Sequence, residues 1–185
     1  MVTRVEQHAH EANGTKEQIL LNARSLFATH GYDGTSIRQL TSSLSITPAA
    51  LYYHFASKND VLEAVAQNLY EASRELAERT ENYDKSPQTL KKTLSEYYDV
   101  LALDIEVFIL VYNDAAIQHS PVGKKLRQQA KMFFTYLVGD NPSVEDRMRA
   151  AGSVGIIRLS LQQVGADFAI HRSKIVERAF TVMTD

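Results

Sequence analysis

Four prolines, each preceded by a residue with a short polar side chain, constrain the fold of this 185-residue chain more than any other feature. The four pairs are Thr47-Pro48, Ser86-Pro87, Ser120-Pro121 and Asn141-Pro142. A side-chain oxygen before a helix accepts a hydrogen bond from a free backbone N–H, and proline in the first helical position has no N–H that needs a partner. Any one pair also fits an ordinary turn, but the four together predict four helix starts.

Apolar residues between these starts recur at intervals of three and four, which is the period of an amphipathic helix. One such stripe contains Val61, Leu62, Val65 and Leu69, and no segment shows a sustained strand-like alternation. The chain is therefore predicted to be all-α, with nine helices at 16–30, 36–43, 47–53, 58–82, 87–103, 105–118, 121–138, 143–165 and 168–183. The polar residues 1–14 show no apolar stripe, and we expect them to be a disordered tail.

Composition limits the functions of such a chain. The sequence has no cysteine, which excludes disulfides, zinc sites built on cysteine and thiol nucleophiles. Its histidines form no pair spaced i, i+4, and the glycine motifs of phosphate loops, dinucleotide folds and serine hydrolases are absent. We therefore predict no metal, no cofactor and no enzymatic activity. The longest apolar run, Val107–Tyr112, is too short to span a membrane, so we expect a cytoplasmic protein without a membrane partner.

Residues 35–55 carry the pattern that points to a function. Two very short helices are predicted there, joined by Leu44-Ser45-Ile46, and helices of this length are stable only when they pack against neighbours. This arrangement is typical of a helix-turn-helix, whose second helix enters the major groove of DNA with its N-terminus first. The segment therefore predicts binding to double-stranded DNA.

The residue types in this segment suit contact with DNA. Small side chains at the start of the second helix allow close approach to base edges. Hydroxyl and imidazole groups near its end can donate to phosphate oxygens, and a helix start with hydroxyl groups can bind an anion. The predicted DNA-binding residues are Thr35, Ser36, Arg38, Thr47, Pro48, Ala49, Tyr52, Tyr53, His54 and Lys58. Residues 1–60 contain five basic and five acidic residues, so we expect few phosphate contacts per subunit and a modest salt dependence.

A longer run of residues surrounds this segment. It begins at Phe27, continues through Gly31-Tyr32 and Thr35-Ser36-Ile37, and ends in the block Leu51-Tyr52-Tyr53-His54-Phe55-Ala56-Ser57-Lys58-Asn59-Asp60-Val61-Leu62. The run resembles the DNA-binding domain of the TetR (tetracycline-repressor-like) family of transcriptional regulators over residues 16–65. The resemblance implies a three-helix helix-turn-helix domain at 15–60, followed by a helical ligand-binding and dimerisation domain at 61–185.

The same resemblance implies a function. Members of this family are expected to be dimeric repressors that bind a partly palindromic operator and are released by a small apolar or amphipathic effector. The chain departs from the family pattern where alanine is usual (Thr41), where glycine is usual or frequent (Ser45 and Ala49), and where a basic residue is frequent (Pro48). Glycine in such a turn commonly has a positive φ, at which serine is strained.

Aromatic residues are frequent in the C-terminal part of the chain, which favours an apolar pocket for a small-molecule effector. We count polar residues near the aromatic stripes among the candidate pocket residues, because buried tyrosine hydroxyls need hydrogen-bond partners. The predicted ligand-binding residues are Tyr98, Phe108, Tyr112, Asn113, Phe133, Phe134, Arg158 and Gln162. For any one of the aromatic residues, packing in the core is the competing interpretation.

Small residues in the penultimate predicted helix favour close helix packing. They are Ala150-Ala151-Gly152 and Gly155. Because the resemblance places dimerisation in the last two helices, we expect a homodimer through 143–165 and 168–183. The same residues also fit tight packing of a helix within one chain. The alternative to a regulator is a helical interaction or scaffold protein that does not bind DNA.

Overall fold

The computed structural model describes the backbone of residues 4–164 and 167–185, and the side chains of residues 14–164 and 167–185. Within these ranges the chain forms α-helices and no strand, so the all-α prediction is confirmed. The ten helices are α1 (Arg4–His30), α2 (Ile37–Ser42), α3 (Pro48–His54), α4 (Lys58–Thr80), α5 (Pro87–Ala102), α6 (Ile105–Asn113), α7 (Ala115–His119), α8 (Pro121–Val138), α9 (Val144–Val164) and α10 (Phe168–Thr184).

Three of the four proline pairs begin helices as predicted. Pro48, Pro87 and Pro121 are the first residues of α3, α5 and α8. The hydroxyl oxygens of the preceding Thr47 and Ser86 each accept a hydrogen bond from a backbone N–H in the first helical turn. These helix starts are therefore determined by neighbouring residues in the sequence, which is why they can be predicted from it.

The fourth pair, Asn141-Pro142, does not begin a helix, and that prediction is wrong. Helix α9 begins at Val144, and the residue that caps it is Ser143. The Ser143 hydroxyl accepts the Asp146 N–H at 3.1 Å, while the Asp146 carboxylate accepts the N–H of Ser143 at 2.9 Å. Because this reciprocal capping box lies just beyond the proline pair, α9 begins after Ser143 and not at Pro142. Asn141 has a φ of 51°, a left-handed conformation that asparagine tolerates.

The segment predicted as one helix over 105–118 is two helices in the structure. Asp114 separates α6 from α7 with φ −94° and ψ 111°, which is an extended conformation. Its Oδ1 atom accepts the backbone N–H groups of Ala116 and Ile117 and thereby caps α7. Its Oδ2 atom accepts the N–H of Tyr32 at 2.7 Å. The apolar stripe continues through this break, which is why periodicity alone predicted a single helix.

Helix α1 begins at Arg4 and not near residue 16. Residues 4–14, which were expected to be disordered, therefore lie in this helix, and residues 1–3 lie outside the described residues. The helix ends at His30 as predicted. Gly31 follows it with a φ of 74°, and its N–H donates to the Phe27 carbonyl at 2.9 Å. Glycine adopts this left-handed conformation after a helix without steric strain.

The chain divides into two compact units. The first extends to Gln67 and also includes Leu110–Gly123, and the second consists of Asn68–Ile109 and Lys124–Asp185. The predicted boundary near residue 60 assigned Leu110–Gly123 to the second domain, whereas the structure groups that segment with the helix-turn-helix. The core of the first unit includes Ile19, Ala23, Phe27, Leu40, Leu51, Phe55, Val61, Leu62 and Ile117.

The second unit is built around the last two helices. Helix α10 packs against α9 and α5, and α5 also packs against α9. The buried residues of this unit include Leu94, Tyr98, Leu101, Phe108, Leu126, Phe133, Ile157, Leu161, Ile175 and Ala179. Among the described residues, no helix is both long and apolar enough to cross a membrane.

Candidate functional site

Helices α2 and α3 form the helix-turn-helix. Leu40 and Leu51 are wholly buried beneath them. Ser45 lies in the joint with a φ of 55°, so this serine adopts the conformation for which the family pattern favours glycine. The side chain of Asn22 ties α1 to the end of α2, because its amide donates to the Leu40 carbonyl at 3.0 Å and to the Ser43 hydroxyl at 2.7 Å. These contacts fix the position of the end of α2 relative to α1.

Helix α3 presents the predicted recognition surface to solvent. Thr47, Pro48 and Ala49 at its start are exposed. Further along the helix, Tyr52 is 51% exposed and Tyr53 is 80% exposed, which is unusual for side chains of this size. This exposure on a short, well-supported helix has no packing explanation within the first unit.

Three further side chains border this surface. His54 is half-buried, and its ring lies edge-on to that of Tyr53 with centroids 5.0 Å apart. Arg38 is exposed on α2, where it supplies a cation close in sequence to the turn. Lys16 of α1 lies with its ammonium 5.8 Å from the centre of the Phe55 ring. Helix α3 itself contains no lysine, arginine, aspartate or glutamate.

The predicted role of Thr35 is wrong. Its side chain is only 1% exposed, and its hydroxyl lies within hydrogen-bond distance of the carbonyls of Leu26 and Gly31, at 3.2 and 2.9 Å. The residue that caps α2 is Ser36. Its hydroxyl donates to the Gln39 side-chain oxygen at 2.7 Å and accepts the Gln39 N–H at 3.2 Å. The Thr35 hydroxyl is thus buried away from any anion, whereas Ser36 is exposed, so an anion contact by Ser36 stays a prediction.

Lys58 stabilises the segment between α1 and α2, a role that the sequence did not reveal. Its ammonium donates to the carbonyls of Tyr32 and Thr35 at 2.8 and 2.9 Å, and lies 4.2 Å from the centre of the Tyr32 ring. Burial, followed by the nearby charges of Asp33 and Asp60, raises the pKa of Tyr32 above its ordinary value. Two of the three ammonium N–H groups of Lys58 therefore bind carbonyls within the protein. A phosphate contact by Lys58 stays a prediction, and the remaining N–H would have to make it.

A groove between α8 and α9 brings together three of the predicted ligand-binding residues, Phe133, Phe134 and Arg158. We call it the α8–α9 groove, and its volume is about 360 Å³. It is lined by Ala130, Lys131, Phe133, Phe134, Ala151, Val154, Gly155 and Arg158.

A buried tyrosine supports the aromatic wall of this groove. The ring of Tyr97 stacks on that of Phe133 with centroids 4.5 Å apart and planes inclined by 11°. Arg158 Nε donates to the Tyr97 hydroxyl at 2.5 Å. Tyr97 was not among the predicted ligand-binding residues, although its place in the aromatic stripe of α5 would have been a signal.

The other predicted ligand-binding residues do not line the groove. Tyr98 is buried and its hydroxyl donates to the Phe168 carbonyl at 2.5 Å, which ties α5 to α10. Phe108 is fully buried, so for both residues core packing is the better interpretation. Tyr112 and Asn113 belong to the first unit, and Gln162 is half-buried on α9. The sequence identified aromatic residues correctly but not the side of the helix on which they lie.

A second and larger cleft of about 650 Å³ lies in the same unit, and the sequence did not predict it. Tyr83 and Tyr136 line it with ring centroids 6.4 Å apart. The Tyr136 hydroxyl donates to the Asp84 carbonyl at 3.0 Å, and burial raises the pKa of that hydroxyl. Its charged lining residues are Glu81, Lys85, Lys131 and Asp140. We call it the α4–α8 cleft.

The last two helices carry exposed apolar side chains. Val144, Met148, Leu159 and Ile170 are each more than 60% exposed. The small residues of α9 have different surroundings. A Cβ atom at Gly152 would lie 3.0 Å from Val182 of α10, whereas one at Gly155 would meet nothing within 4 Å. Gly152 therefore serves packing within the chain, which was the competing interpretation for this residue.

Comparison with known proteins agrees with this geometry. Residues 19–65 match the model of the family described as bacterial regulatory proteins, tetR family. A 48-residue segment is 46% identical to the biofilm operon icaADBC HTH-type negative transcriptional regulator IcaR of Staphylococcus aureus (strain Newman). That segment covers 26% of this chain and 26% of the relative, so the match spans about a quarter of either protein.

Solved structures extend the likeness to the whole fold. Mycobacterium smegmatis AmtR superposes with a TM-score of 0.72 at 20% identity, over 92% of this chain and 86% of that one. AibR, in complex with isovaleryl coenzyme A and operator DNA, superposes with a TM-score of 0.64 at 17% identity, over 89% and 95%. Identities at this level establish a shared fold. Residues 19–65 therefore resemble the DNA-binding domain of the tetR family of bacterial regulatory proteins, and the chain shares the fold of the solved structures named above.

Proposed function

We propose that this protein is a dimeric, ligand-responsive repressor that binds a partly palindromic DNA operator through α3. The observation that carries the proposal is the exposure of Tyr52 and Tyr53 on a short helix whose opposite side is anchored by the wholly buried Leu51. Solvent-exposed aromatic side chains on a rigid support are typical of a binding surface.

In this proposal the residues at the start of α3 contact bases, and those further along the helix contact phosphates. The start of α3 enters the major groove, where the methyl groups of Thr47 and Ala49 can contact thymine. The hydroxyls of Tyr52 and Tyr53 donate to phosphate oxygens, which position the helix without reading sequence. Arg38 supplies the nearby positive charge. Because few cations face the DNA, the affinity should depend only modestly on salt.

The dimer forms through α9 and α10 in this proposal. The exposed apolar side chains Val144, Met148, Leu159 and Ile170 give these helices an apolar outer surface that a second copy of the chain would cover. Two α3 helices about 34–36 Å apart would then reach successive major grooves on one side of the DNA. A two-fold symmetric protein requires a partly palindromic operator.

The effector binds in the second unit, where the predicted ligand-binding residues Phe133, Phe134 and Arg158 lie together. AibR, which shares this fold, has been solved in complex with isovaleryl coenzyme A and operator DNA. IcaR, which resembles the helix-turn-helix, is described as a negative regulator, and this supports repression. An effector that binds better to the form with low DNA affinity would release the operator. A repressor of this kind acts in the cytoplasm.

A fluorescence-anisotropy titration tests DNA binding directly. The probe is a labelled duplex from the region upstream of the protein's own gene, titrated at two salt concentrations with a scrambled duplex as competitor. Saturable binding of two subunits per site that survives the competitor is expected. Equal competition by scrambled DNA contradicts operator recognition on that duplex and favours a helical protein that does not read DNA.

Variants of Tyr53 test the assigned role of α3. Tyr53→Ala should weaken binding to the operator and to random DNA by a similar factor of about 3–10, the value of one hydrogen bond. Tyr53→Phe keeps the ring and removes the hydroxyl, so it should lose as much if the phosphate contact is the cause. A loss confined to the operator would show that Tyr53 reads bases.

The proposed dimer surface has a matched control. Met148→Glu places a charge on α9 and should shift the molecular mass measured by light scattering from dimer to monomer. Leu103→Glu changes an equally exposed apolar residue at the end of α5, at 63% exposure for both positions, and should leave the dimer intact. Dissociation by Leu103→Glu but not by Met148→Glu would place the interface elsewhere.

A further inference from the structure

We propose that Asp114 is a positioning residue for DNA binding, although it lies outside the helix-turn-helix. This inference rests on the proposed function, because it assigns a role in operator recognition. Asp114 belongs to the segment Leu110–Gly123, which the structure groups with the first unit. Its carboxylate joins the start of α7 to the turn between α1 and α2, residues 31–36, which we call the α1–α2 turn.

The two oxygens of this carboxylate have different partners. Oδ1 accepts the backbone N–H groups of Ala116 and Ile117, at 2.8 and 3.1 Å, and so caps α7. Oδ2 accepts the N–H of Tyr32 at 2.7 Å. A hydrogen bond to an ionised acceptor is shorter and stronger than one between neutral groups. Asp114 makes both connections because a carboxylate has two acceptor oxygens, whereas the side chain of asparagine has one.

The α1–α2 turn is held from a second side by Lys58, at the start of α4. The Lys58 ammonium donates to the carbonyls of Tyr32 and Thr35, at 2.8 and 2.9 Å. Tyr32 thus has its N–H bound to a carboxylate and its carbonyl bound to an ammonium. Its ring makes an edge contact with that of Phe27, with centroids 5.4 Å apart. The turn therefore has a defined position that depends on charged groups from two other segments.

The position of this turn determines where α2 begins. Ser36 is the last residue of the turn, and it caps α2 together with the side chain of Gln39. Ser36 and Arg38 are exposed, and both are among the residues predicted to contact DNA. Helix α2 packs against α1 and α3. A displacement of the turn would therefore move α2, and with it the surface that faces the operator.

A purely structural role is the competing interpretation, because the hydrogen bond from Tyr32 to the half-buried Asp114 also stabilises the fold. The two interpretations differ in what they predict for DNA. If Asp114 only stabilises the fold, a folded variant should bind operator and random DNA as the parent does. If it positions α2, the variant should lose more affinity for the operator, because base contacts require a defined helix position and attraction to phosphates does not.

Asp114→Asn separates the two connections. Asparagine is a good N-cap residue, so its single oxygen can keep the cap of α7, while an NH2 group that cannot accept replaces the other oxygen. In the anisotropy titration, operator affinity should fall at least about fivefold and affinity for the scrambled duplex less than about twofold. Electrostatics alone predicts the opposite sign, because the variant removes a negative charge from a unit that binds DNA. Asp114→Ser, another good cap with one oxygen, should show the same loss.

Two variants control for charge and for helix capping. Asp33→Asn removes the same charge from an exposed position of the α1–α2 turn, and its operator affinity should be equal to that of the parent or higher. Asp104→Asn changes a half-buried carboxylate whose Oδ1 accepts the Val107 N–H at the start of α6, and it should leave operator affinity unchanged. A loss in either control as large as that in Asp114→Asn would refute the positioning role.

Hydrogen exchange supplies a second readout that a purely structural role would not change. Coupling between two equilibria is reciprocal, so a bond from Tyr32 to Asp114 that favours operator binding must itself be favoured by the operator. In the parent, the upstream duplex should slow exchange of the Tyr32 amide at least about fivefold more than that of the Ile117 amide, which binds the other oxygen of Asp114. Equal slowing of the two amides would reflect general stabilisation and contradict the coupling.

The two proposals fail in distinguishable ways. A parent protein that binds the upstream duplex no better than scrambled DNA refutes operator recognition, and the positioning role with it. A parent that discriminates between the duplexes, together with an Asp114→Asn variant that discriminates equally well, refutes the positioning role alone and retains the regulator. Circular dichroism and light scattering of each variant confirm that a lost affinity does not come from unfolding or from dissociation.

Discussion

Replacing Ser45 with glycine should stabilise the folded protein. Ser45 has a φ of 55° in the joint between α2 and α3, and its side chain is exposed. A residue with a Cβ atom in this left-handed conformation costs about 1–2 kcal/mol, which glycine avoids. Glycine also makes the unfolded chain more flexible, which offsets about 0.4–1 kcal/mol of that gain. The expected net increase in the free energy of unfolding is about 0.5–1 kcal/mol.

Urea denaturation followed by circular dichroism measures this change, and two variants serve as controls. Ser45→Ala retains the Cβ atom, so its free energy of unfolding should stay within about 0.5 kcal/mol of the parent. Asn141→Gly changes the other non-glycine residue with positive φ, and it should gain less because asparagine tolerates this conformation. The reasoning is refuted if Ser45→Gly does not stabilise the protein, or if Ser45→Ala stabilises it equally.

Three further substitutions probe contacts that hold segments together. Lys58→Met leaves two carbonyls without their donor and should lower the free energy of unfolding by about 1–3 kcal/mol in urea denaturation. Asp114→Ala should increase the hydrogen-exchange rate of the Tyr32 amide, because that amide loses its acceptor. Hydrogen bonds from Ser143, first from its side chain and then from its backbone, lower the pKa of Asp146 below 3.8. Stability from this contact is therefore present above the unfolded pKa and lost as pH falls through the folded one, and Ser143→Ala should raise the Asp146 pKa in an NMR titration.

The Lys58→Met prediction has a control variant, and each of the other two predictions has an outcome that would contradict it. Lys124→Met alters an exposed lysine of α8 and should leave the free energy of unfolding unchanged. An unchanged exchange rate for the Tyr32 amide in Asp114→Ala would mean that the amide is protected by other contacts. An Asp146 pKa that stays low in Ser143→Ala would assign the shift to the backbone N–H of residue 143 and the nearby arginines, which this variant retains, instead of the Ser143 hydroxyl.

The sequence predicted helix starts correctly where the capping contacts lie within one helical turn. The caps at Thr47 and Ser86 use neighbouring residues, so their identity is visible in the sequence. Asn141-Pro142 misled the prediction because Ser143 and Asp146 form a stronger local cap just beyond it. Asp114 broke a predicted helix because its second oxygen binds a backbone group 82 residues away in sequence, and no local pattern reports such a contact.

The candidate site shows the same distinction between residues whose environment can be read from the local sequence and residues whose environment cannot. Exposure of Tyr53 could be anticipated because a large polar aromatic residue fits poorly on the buried face of a two-turn helix. Thr35 and Lys58 could not be assigned correctly, because their partners are backbone carbonyls, which every residue carries. Phe133 and Phe108 look alike in the sequence, yet Phe133 lines a groove and Phe108 does not. Only the three-dimensional arrangement of helices separates them.

The first unit consists of two segments that are separate in the sequence, so its folding cannot be completed until the second segment has been synthesised. The helix-turn-helix is complete in the chain by Gln67, but Leu110–Gly123, which supplies Asp114 to the Tyr32 amide, is synthesised later. At a synthesis rate of about 5–20 residues per second, the ribosome needs roughly 3–11 s to supply the missing segment. During this interval the nascent helix-turn-helix lacks part of its packing, so the first unit is complete only after residues 68–109 of the second unit have been translated.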